Sequence, residues 1–261
     1  MRKFILLFIN GDLGLELTEY VLSDPNSEIS GIVLNSEKKR APDYLARVEG
    51  IRLKHQKNFP VLTFEKRLWT SEQLNSILAF TNLGVAALFG HLIPQEIISR
   101  LSPSLVNLHP SLLPLGRGAD PVAWAIMEKE KQGATIHVLE ETLDTGPIIQ
   151  QTEIPTNFGM SSGEIYTLAC EELLNLYKKF HEIWPDTSPF RAQMGRQTYH
   201  TSSELESLRK EILIGSQKTE NVLRVVQALS FNDGRAMRIR IESGEIWEIR
   251  ITARQIREGE N

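Results

Sequence analysis

The sequence lacks several features that mark particular classes of protein. It has one cysteine in 261 residues, Cys170, so it can form neither an intrachain disulfide nor a cysteine-based metal cluster. No apolar run approaches the roughly 18 residues of a membrane span, and the first run, residues 4–9, is too short for a signal-peptide core. A net charge of -4 gives no basic field for nucleic acid. We therefore expect a cytoplasmic protein with neither a membrane nor a nucleic acid as its main partner.

The composition is that of a globular protein, and short apolar runs recur along the first half. Hydrophobic residues make up 41% and charged residues 24%, close to the globular average. A capping box is predicted where Thr70 and Gln73 would begin a helix. The apolar runs predict buried strands at residues 4–9, 29–34, 61–64, 83–89 and 105–108. Runs that alternate with helical stretches indicate an α/β fold with an open, doubly wound, mostly parallel sheet.

The second half predicts further elements and a domain boundary. A loop is expected over 107–120, then a helix from Pro121, strands at 134–139 and 148–154, and a long helix begun by a second capping box at 161–164. A proline-rich stretch predicts two domains, residues 1–188 and a small subdomain over 189–261. The subdomain is expected to hold helices at 205–213 and 220–229 and a β-hairpin with a turn at 242–245. The hairpin's odd positions are apolar, so it must pack on its own domain or on a second subunit, and we expect a homodimer.

Two polar residues stand at the end of a predicted strand, and further motifs follow them. Asn107 and His109 are two apart, so their side chains point to one side of the strand. The stretch Val-Asn-Leu-His-Pro-Ser-Leu-Leu-Pro is followed by Arg-Gly, by Thr-Ile-His and by Asp-Thr-Gly; these motifs occupy residues 106–114, 117–118, 135–137 and 144–146. Their order resembles the folate-dependent formyltransferases, which include glycinamide ribonucleotide, methionyl-tRNA and sugar N-formyltransferases. The resemblance is strong over about residues 80–155 and implies that family's Rossmann-like fold.

The resemblance implies a catalytic role for Asn107, His109 and Asp144. Formyl transfer to an amine passes through a tetrahedral adduct with a negative oxygen, for which the Asn107 amide and a protonated His109 are suitable donors. Asp144, if folded against His109, would keep that imidazole charged and accept the amine proton. Each residue alone fits a simple turn, but together they favour catalysis. His137 is expected to orient the loop that holds Asp144, and no histidine and carboxylate spacing suggests a metal site.

The resemblance also places the formyl donor, 10-formyltetrahydrofolate. Two loops would enclose its flat pterin, with exposed backbone groups along the pterin edge and apolar side chains as walls. The expected cofactor-binding residues are Phe89, Gly90, His91, Leu92, Ile93, Leu139, Glu140 and Leu143. Each of the apolar residues taken alone fits the core equally well.

The flanking sequence points to the acceptor. Residues 201–261 hold ten Lys or Arg and ten Asp or Glu, which suits tRNA poorly. The tail is similar to that of sugar N-formyltransferases, which implies a nucleotide-linked amino sugar as acceptor, although residues 232–234 and Asp120 depart from the family pattern. The expected substrate-binding residues are Ser111, Arg117, Gly118, Tyr199 and Phe231. The alternatives are a methionyl-tRNA or other small-amine formyltransferase, a folate-binding module without turnover, and a hydrolase of formyltetrahydrofolate.

Overall fold

A computed structural model describes residues 1–157, 160–186, 190–205, 219–230, 237–240 and 246–249. The chain forms two compact units. The first comprises Met1–His109, Ile136–Gln150 and Leu173–Ala192, and the second comprises Pro110–Thr135, Gln151–Glu172 and Gln193–Asn261. The domain boundary expected at residue 188 lies outside the described residues.

Strands and helices alternate along the first part of the chain. In order they are β1 Lys3–Ile9, α1 Gly11–Ser23, β2 Ser27–Leu34, α2 Tyr44–Lys54, β3 Val61–Thr63, α3 Glu72–Phe80, β4 Leu83–Ala87, α4 Gln95–Leu101 and β5 Leu105–His109. Short 3-10 helices span Glu37–Lys39 and Leu68–Thr70. This alternation confirms the predicted α/β pattern.

The later part contains shorter strands and one long helix. Its elements are β6 Arg117–Gly118, α5 Pro121–Glu128, β7 Gln132–Val138, β8 Ile148–Ile154, α6 Ser162–Ile183, β9 Tyr199–His200, α7 Thr219–Leu229, β10 Met237–Arg240 and β11 Ile246–Ile249. None of the helices within the described ranges is both long enough and apolar enough to cross a membrane.

The central sheet has seven strands in the order β3-β2-β1-β4-β5-β7-β8. The pairs β1–β2, β1–β4, β2–β3 and β4–β5 are parallel. From β1 the chain runs outward through β2 to β3 and then crosses to β4 on the other side, so the strand order reverses between β1 and β4. The predicted open, mostly parallel sheet is confirmed, and in such sheets ligands bind beyond the carboxyl ends of the strands.

The core of the first unit explains why its strands read as continuous apolar runs. Residues 5–9 are each 0% exposed, because helices cover both faces of a parallel sheet. Side chains from β1, β2, α3, α4 and β5 form one cluster, which includes Leu6, Phe8, Val33, Leu74, Ile97 and Leu105. The site residues on β5 therefore stand on a closely packed, buried support.

A buried polar cluster ties α6 to the start of β2 within the first unit. His181 is 2% exposed, and its Nε2 lies 2.8 Å from Asp24 Oδ2 and 3.1 Å from Ser27 Oγ. Its Nδ1 lies 3.2 Å from the Tyr177 hydroxyl. Burial lowers the pKa of His181, and the hydrogen bond to Asp24 offsets only part of that effect. This histidine is therefore held neutral inside the fold.

Local chemistry shifts some boundaries from their predicted positions. β4 ends at Ala87 and not at residue 89, because Leu88 has a left-handed φ of 56° that turns the chain out of the sheet. Ser71, and not Thr70, caps α3: the Ser71 hydroxyl accepts from the Leu74 N–H at 3.2 Å, whereas Thr70 donates to Arg67 O. The second predicted capping box is confirmed, since Glu164 accepts from the Ser161 N–H at 2.8 Å and the Glu164 N–H donates to Ser161 Oγ at 3.3 Å.

The second unit has its own core, and its β6–β9 pair was not predicted. Apolar side chains of α5, α6 and α7 pack together, among them Val122, Ile126, Ile165, Val226 and Leu229. The segment 107–120 is not all loop, because Arg117 and Gly118 pair in parallel with Tyr199 and His200. β10 and β11 pair antiparallel, with Ile239 opposite Trp247, as the hairpin prediction requires. The predicted turn at 242–245 and most of the helix predicted at 205–213 lie outside the described residues.

Candidate active site

The structure brings together the three residues that the resemblance marks as catalytic. Asn107 and His109 lie on β5, and Asp144 lies in the turn between β7 and β8. The Asn107 Nδ2 donates to Asp144 Oδ1 at 3.2 Å, and His109 Nδ1 lies 3.8 Å from the same oxygen. The side chains of His109 and Asp144 are 7% and 10% exposed. One carboxylate oxygen thus faces an amide and an imidazole in a nearly dry setting, and the catalytic role of the three residues stays a prediction.

His137 joins this group on the neighbouring strand β7. Its Nε2 lies 3.1 Å from Asn107 Nδ2 and 3.5 Å from Asp144 Oδ1, and the side chain is 1% exposed. Its Nδ1 lies 2.9 Å from the Val138 carbonyl oxygen. His137 therefore contacts Asn107 more closely than it contacts Asp144, the residue it was expected to orient.

The Asp144 turn depends on a close backbone approach at Gly146. Asp144 itself has a left-handed φ of 55°. A Cβ added at Gly146 would lie 1.8 Å from the Val138 carbonyl oxygen, so no larger residue fits there without a backbone shift. The Val138 N–H donates to Pro147 O at 2.9 Å and closes the loop. Glycine at position 146 therefore allows the turn that brings Asp144 to β5.

The arrangement can stabilise a negative oxygen and accept a proton. The amide of Asn107 and the imidazole of His109 are hydrogen-bond donors, and donors held in place before the reaction are the usual means of stabilising a tetrahedral adduct. The carboxylate of Asp144 can accept a proton within hydrogen-bond reach. Among the described residues, no three His, Cys, Asp or Glu side chains are arranged to hold a metal ion.

The predicted cofactor loop after β4 is anchored by residues that the sequence did not reveal. The Gly90 N–H donates to Asn35 Oδ1 at 2.9 Å, and Lys39 Nζ donates to Gly90 O at 2.6 Å. The Asn35 Nδ2 donates to Lys39 O at 3.3 Å, so its amide bridges the two segments. The N–H of Gly90 is thus already paired within the protein, and a pterin acceptor would need the N–H of another residue in the loop. Asn35 and Lys39 act through bonds to backbone atoms, which leave no sequence motif.

An aromatic stack supports the same loop. His91 lies on Phe64 with ring centroids 3.8 Å apart and rings inclined by 19°. The Ser36 N–H donates to His91 Nε2 at 3.3 Å. Burial lowers the pKa of His91, and the nearby charge of Lys39 lowers it further. His91 is thus a neutral, oriented side chain, as a pocket wall requires.

The remaining predicted cofactor residues divide between core and surface. Ile93 is 9% exposed and lies in the core of the first unit, against which Phe89 and Leu139 also pack. Leu92 and Leu143 are 67% and 42% exposed, and Glu140 is exposed as well. Exposed leucines on both loops suit the walls of an open apolar groove.

The predicted substrate residues of the second unit differ in accessibility. Ser111 is 4% exposed and donates its hydroxyl to Leu115 O at 2.8 Å, so it supports the loop. Arg117 donates to Gln193 Oε1 from Nη2 at 2.7 Å and from Nε at 3.1 Å, and it also bonds Gln197. Tyr199 is 53% exposed. Phe231 and residues 232–234 lie outside the described residues.

The β6–β9 pair fixes the position of Arg117. Gly118 has a left-handed φ of 87°, and a Cβ there would lie 2.2 Å from His200 O. His200 stacks on Trp124 with centroids 3.7 Å apart and lies 2.9 Å from Glu128, which holds β9 against α5. His200 carried no signal in the sequence, because its partners Trp124 and Glu128 are more than 70 residues away.

Comparison with known proteins identifies relatives over much of the chain. A family model described as formyl transferase matches residues 22–176. The methionyl-tRNA formyltransferase of Clostridioides difficile (strain 630) is 32% identical over 146 residues, which cover 55% of this chain and 47% of that protein. The chain thus spans about half the length of the curated relatives it matches.

Solved structures share the fold over nearly the whole chain. A 4-N formyltransferase from Francisella tularensis matches with a TM-score of 0.79 and 18% identity, covering 97% of this chain and 99% of that one. An N-formyltransferase from Helicobacter canadensis, solved with folinic acid and dTDP-3-aminofucose, matches with a TM-score of 0.67 and 17% identity, covering 89% and 82%. At these identities the likeness shows the fold. Because the family model matches more than half of the residues of this chain, the chain belongs to the formyl transferase family.

Proposed function

We propose that the protein transfers a formyl group from 10-formyltetrahydrofolate to the primary amine of a nucleotide-linked amino sugar. The observation that carries this proposal is that the side chains of Asn107 and His109 both lie close to one carboxylate oxygen of Asp144. This donor and acceptor set suits acyl transfer to nitrogen, since it serves both the developing oxyanion and the amine proton.

The reaction assigns each residue one task. The amine lone pair attacks the formyl carbon and forms a carbon–nitrogen bond, while the carbonyl electrons move onto oxygen. Asn107 and His109 donate hydrogen bonds to that oxygen, and Asp144 accepts the proton that the amine loses. When the carbonyl reforms, the bond from carbon to folate N10 breaks and N10 takes up a proton. The products are the formamido sugar and tetrahydrofolate.

Three observations support an amino-sugar acceptor. The Francisella tularensis structure is that of a 4-N formyltransferase, and the Helicobacter canadensis protein was solved with dTDP-3-aminofucose. The two likenesses cover 97% and 89% of this chain, and in this chain β9 of the tail pairs with the strand of Arg117. The tail also carries no net positive charge for a tRNA. Exposed Tyr199 and the nearby Arg117 offer an aromatic face and a cation to a nucleotide.

A second candidate, methionyl-tRNA formylation, has one specific observation in its favour. The Clostridioides difficile relative carries that name and is 32% identical over the matched residues. The matched part covers 47% of that relative, and the balanced charge of residues 201–261 argues against a polyanionic acceptor.

An acceptor screen tests the proposal. The purified full chain is incubated with 10-formyltetrahydrofolate and, separately, with dTDP- and UDP-linked 3- or 4-amino sugars, methionyl-tRNA or no amine. We expect formylated sugar by mass spectrometry with equal release of tetrahydrofolate. Formyl-methionyl-tRNA as the sole product would favour the second candidate. Tetrahydrofolate release at the same rate without amine would indicate a hydrolase, and folate binding with no turnover would indicate a binding module.

The homodimer remains part of this proposal. Its support is the apolar alternation of the hairpin sequence, whose strands β10 and β11 pair as predicted. Sedimentation at micromolar concentration should give twice the chain mass, and a monomer would count against it.

A further inference from the structure

The hydrogen bonds of His137 define which of its nitrogens carries a hydrogen. Nδ1 lies 2.9 Å from the Val138 carbonyl oxygen, and a carbonyl oxygen can only accept, so Nδ1 is the donor. In a neutral imidazole the other nitrogen, Nε2, is then an acceptor. The backbone of β7 thereby presents a lone pair from His137 to its neighbours.

That lone pair faces the amide of Asn107. Asn107 Nδ2 lies 3.1 Å from His137 Nε2 and 3.2 Å from Asp144 Oδ1, so its two hydrogens point to two acceptors. The nitrogen of the Asn107 amide is thus directed towards His137 and Asp144, and its oxygen points away from them. Turned over, the amide would set its oxygen against a carboxylate oxygen and an imidazole lone pair, which repel it.

We infer that His137 is a positioning residue that acts through Asn107, holding the amide with its nitrogen towards the reacting oxygen. This inference rests on the proposed function, in which Asn107 donates to the developing oxyanion. A formyl oxygen that enters the site competes for one of the two hydrogens, and a small rotation of the amide supplies it because that torsion is soft. A half-turn of the amide is not needed.

The inference differs from a role in orienting Asp144. His137 Nε2 lies 3.5 Å from Asp144 Oδ1 and, as an acceptor, places no hydrogen between them. The Asp144 turn has its own support in Gly146 and in the Val138–Pro147 hydrogen bond. Loss of the His137 acceptor should therefore change the orientation of the Asn107 amide before it changes the position of Asp144.

A double-mutant cycle separates the two roles. We expect His137→Leu to lower kcat about 10-fold, the typical effect of one hydrogen bond, with little change in the KM for folate. In an Asn107→Ala background the same change should have almost no further effect, because the residue through which His137 acts is gone. Equal losses in both backgrounds would overturn the inference. His137→Gln, which keeps an acceptor near the Nε2 position, should recover most of the rate, and failure to do so would also count against it.

A spectroscopic measurement decides the point without activity. In protein with ¹⁵N-labelled histidine and asparagine, His137 should show the tautomer protonated at Nδ1. The side-chain amide signal of Asn107, assigned by its loss in Asn107→Ala, should shift in His137→Leu and stay in place in His137→Gln. The Nε2-protonated tautomer in the wild type would refute the inference even if His137→Leu fails to fold. Formyl transfer to no amine would refute the proposed function and leave this readout intact.

Discussion

The amide of Asn107 and the carboxylate of Asp144 are joined by a hydrogen bond of 3.2 Å although 37 residues separate them in the sequence. One residue comes from the middle of the short buried strand β5 and the other from a turn with left-handed backbone. His109 Nδ1 lies 3.8 Å from the same oxygen. Two hydrogen-bond donors thus lie beside a carboxylate that can accept a proton.

Removal of any of the three side chains should slow turnover strongly with the fold intact. We expect Asn107→Ala, His109→Ala and Asp144→Ala each to lower kcat by about 100-fold or more, since each loses a group that acts in the transition state. Steady-state rates with the accepted amine, together with circular dichroism, check this. Asn75→Ala, His55→Ala and Asp186→Ala are matched controls outside the site. Wild-type rates in all three site variants would refute the site.

The bridge between Asn35 and the cofactor loop should control folate binding. Asn35→Asp keeps an acceptor for the Gly90 N–H but loses the donor to Lys39 O, and Lys39→Ala removes the bond to Gly90 O. We expect each to raise the KM for 10-formyltetrahydrofolate about 10-fold with a smaller change in kcat. Initial rates over a folate titration provide the measurement. A lower melting temperature with unchanged KM would show that the bridge serves stability alone.

Gly146 should tolerate no side chain. In Gly146→Ala the new Cβ would meet the Val138 carbonyl oxygen, so the turn must move and take Asp144 with it. We expect a loss of about 1–3 kcal/mol in the free energy of unfolding and a fall in kcat even at temperatures where the variant stays folded. Denaturant unfolding and rates at low temperature measure both.

The control for that substitution is Gly50 on α2. A Cβ at Gly50 meets nothing within 4 Å, so Gly50→Ala should stabilise the helix by about 0.5–1 kcal/mol. Equal effects of the two changes would show that the close approach at Gly146 is unimportant.

The His181 cluster should make the fold sensitive to mild acid. Because burial lowers the pKa of His181, the unfolded chain takes up a proton near pH 6.5, its ordinary value, while the folded chain resists. The free energy of unfolding should therefore fall as pH drops from about 7 to about 5, by at most about 1.4 kcal/mol per pH unit. Burial by itself would raise the pKa of Asp24, but its hydrogen bonds with Ser27 and His181 hold it below its ordinary range, so its stabilising effect is lost only at lower pH.

Melting temperatures from pH 8 to pH 5 test this for the wild type and His181→Gln. The variant keeps a polar group near Asp24 but cannot titrate, and its curve should be flatter between pH 7 and pH 5. Parallel curves would mean that another group governs acid stability.

Much of the fold followed from the sequence because the sheet is buried on both faces. Runs such as residues 5–9 can only be strand or buried helix, and their length decides for strand. What the sequence could not supply was local: the end of β4 depends on the conformation of Leu88, and the cap of α3 on a choice between two adjacent hydroxyls. Pairs of short strands far apart in sequence, such as Arg117 with Tyr199, have no periodicity to detect.

The residues of the site that belong to a sequence motif could be predicted. Asn107, His109 and Asp144 were found through the order of their motifs, and the structure places them in contact. The partners that orient them were harder to find. The acceptor role of His137 follows from one backbone carbonyl, and the roles of Asn35 and Lys39 follow from bonds to the backbone of Gly90.

The pairing of β6 with β9 has a consequence for exchanging parts between relatives. The residues matched by the family model end at position 176, yet the strand partner of Arg117 begins at Tyr199. A chimaera that keeps the matched region and takes its tail from a relative would replace Tyr199, the residue that pairs with Arg117 and helps to fix its position. Under the proposed role of Arg117 in acceptor binding, substrate choice in such hybrids should follow the donor of the tail even when every motif residue stays the same.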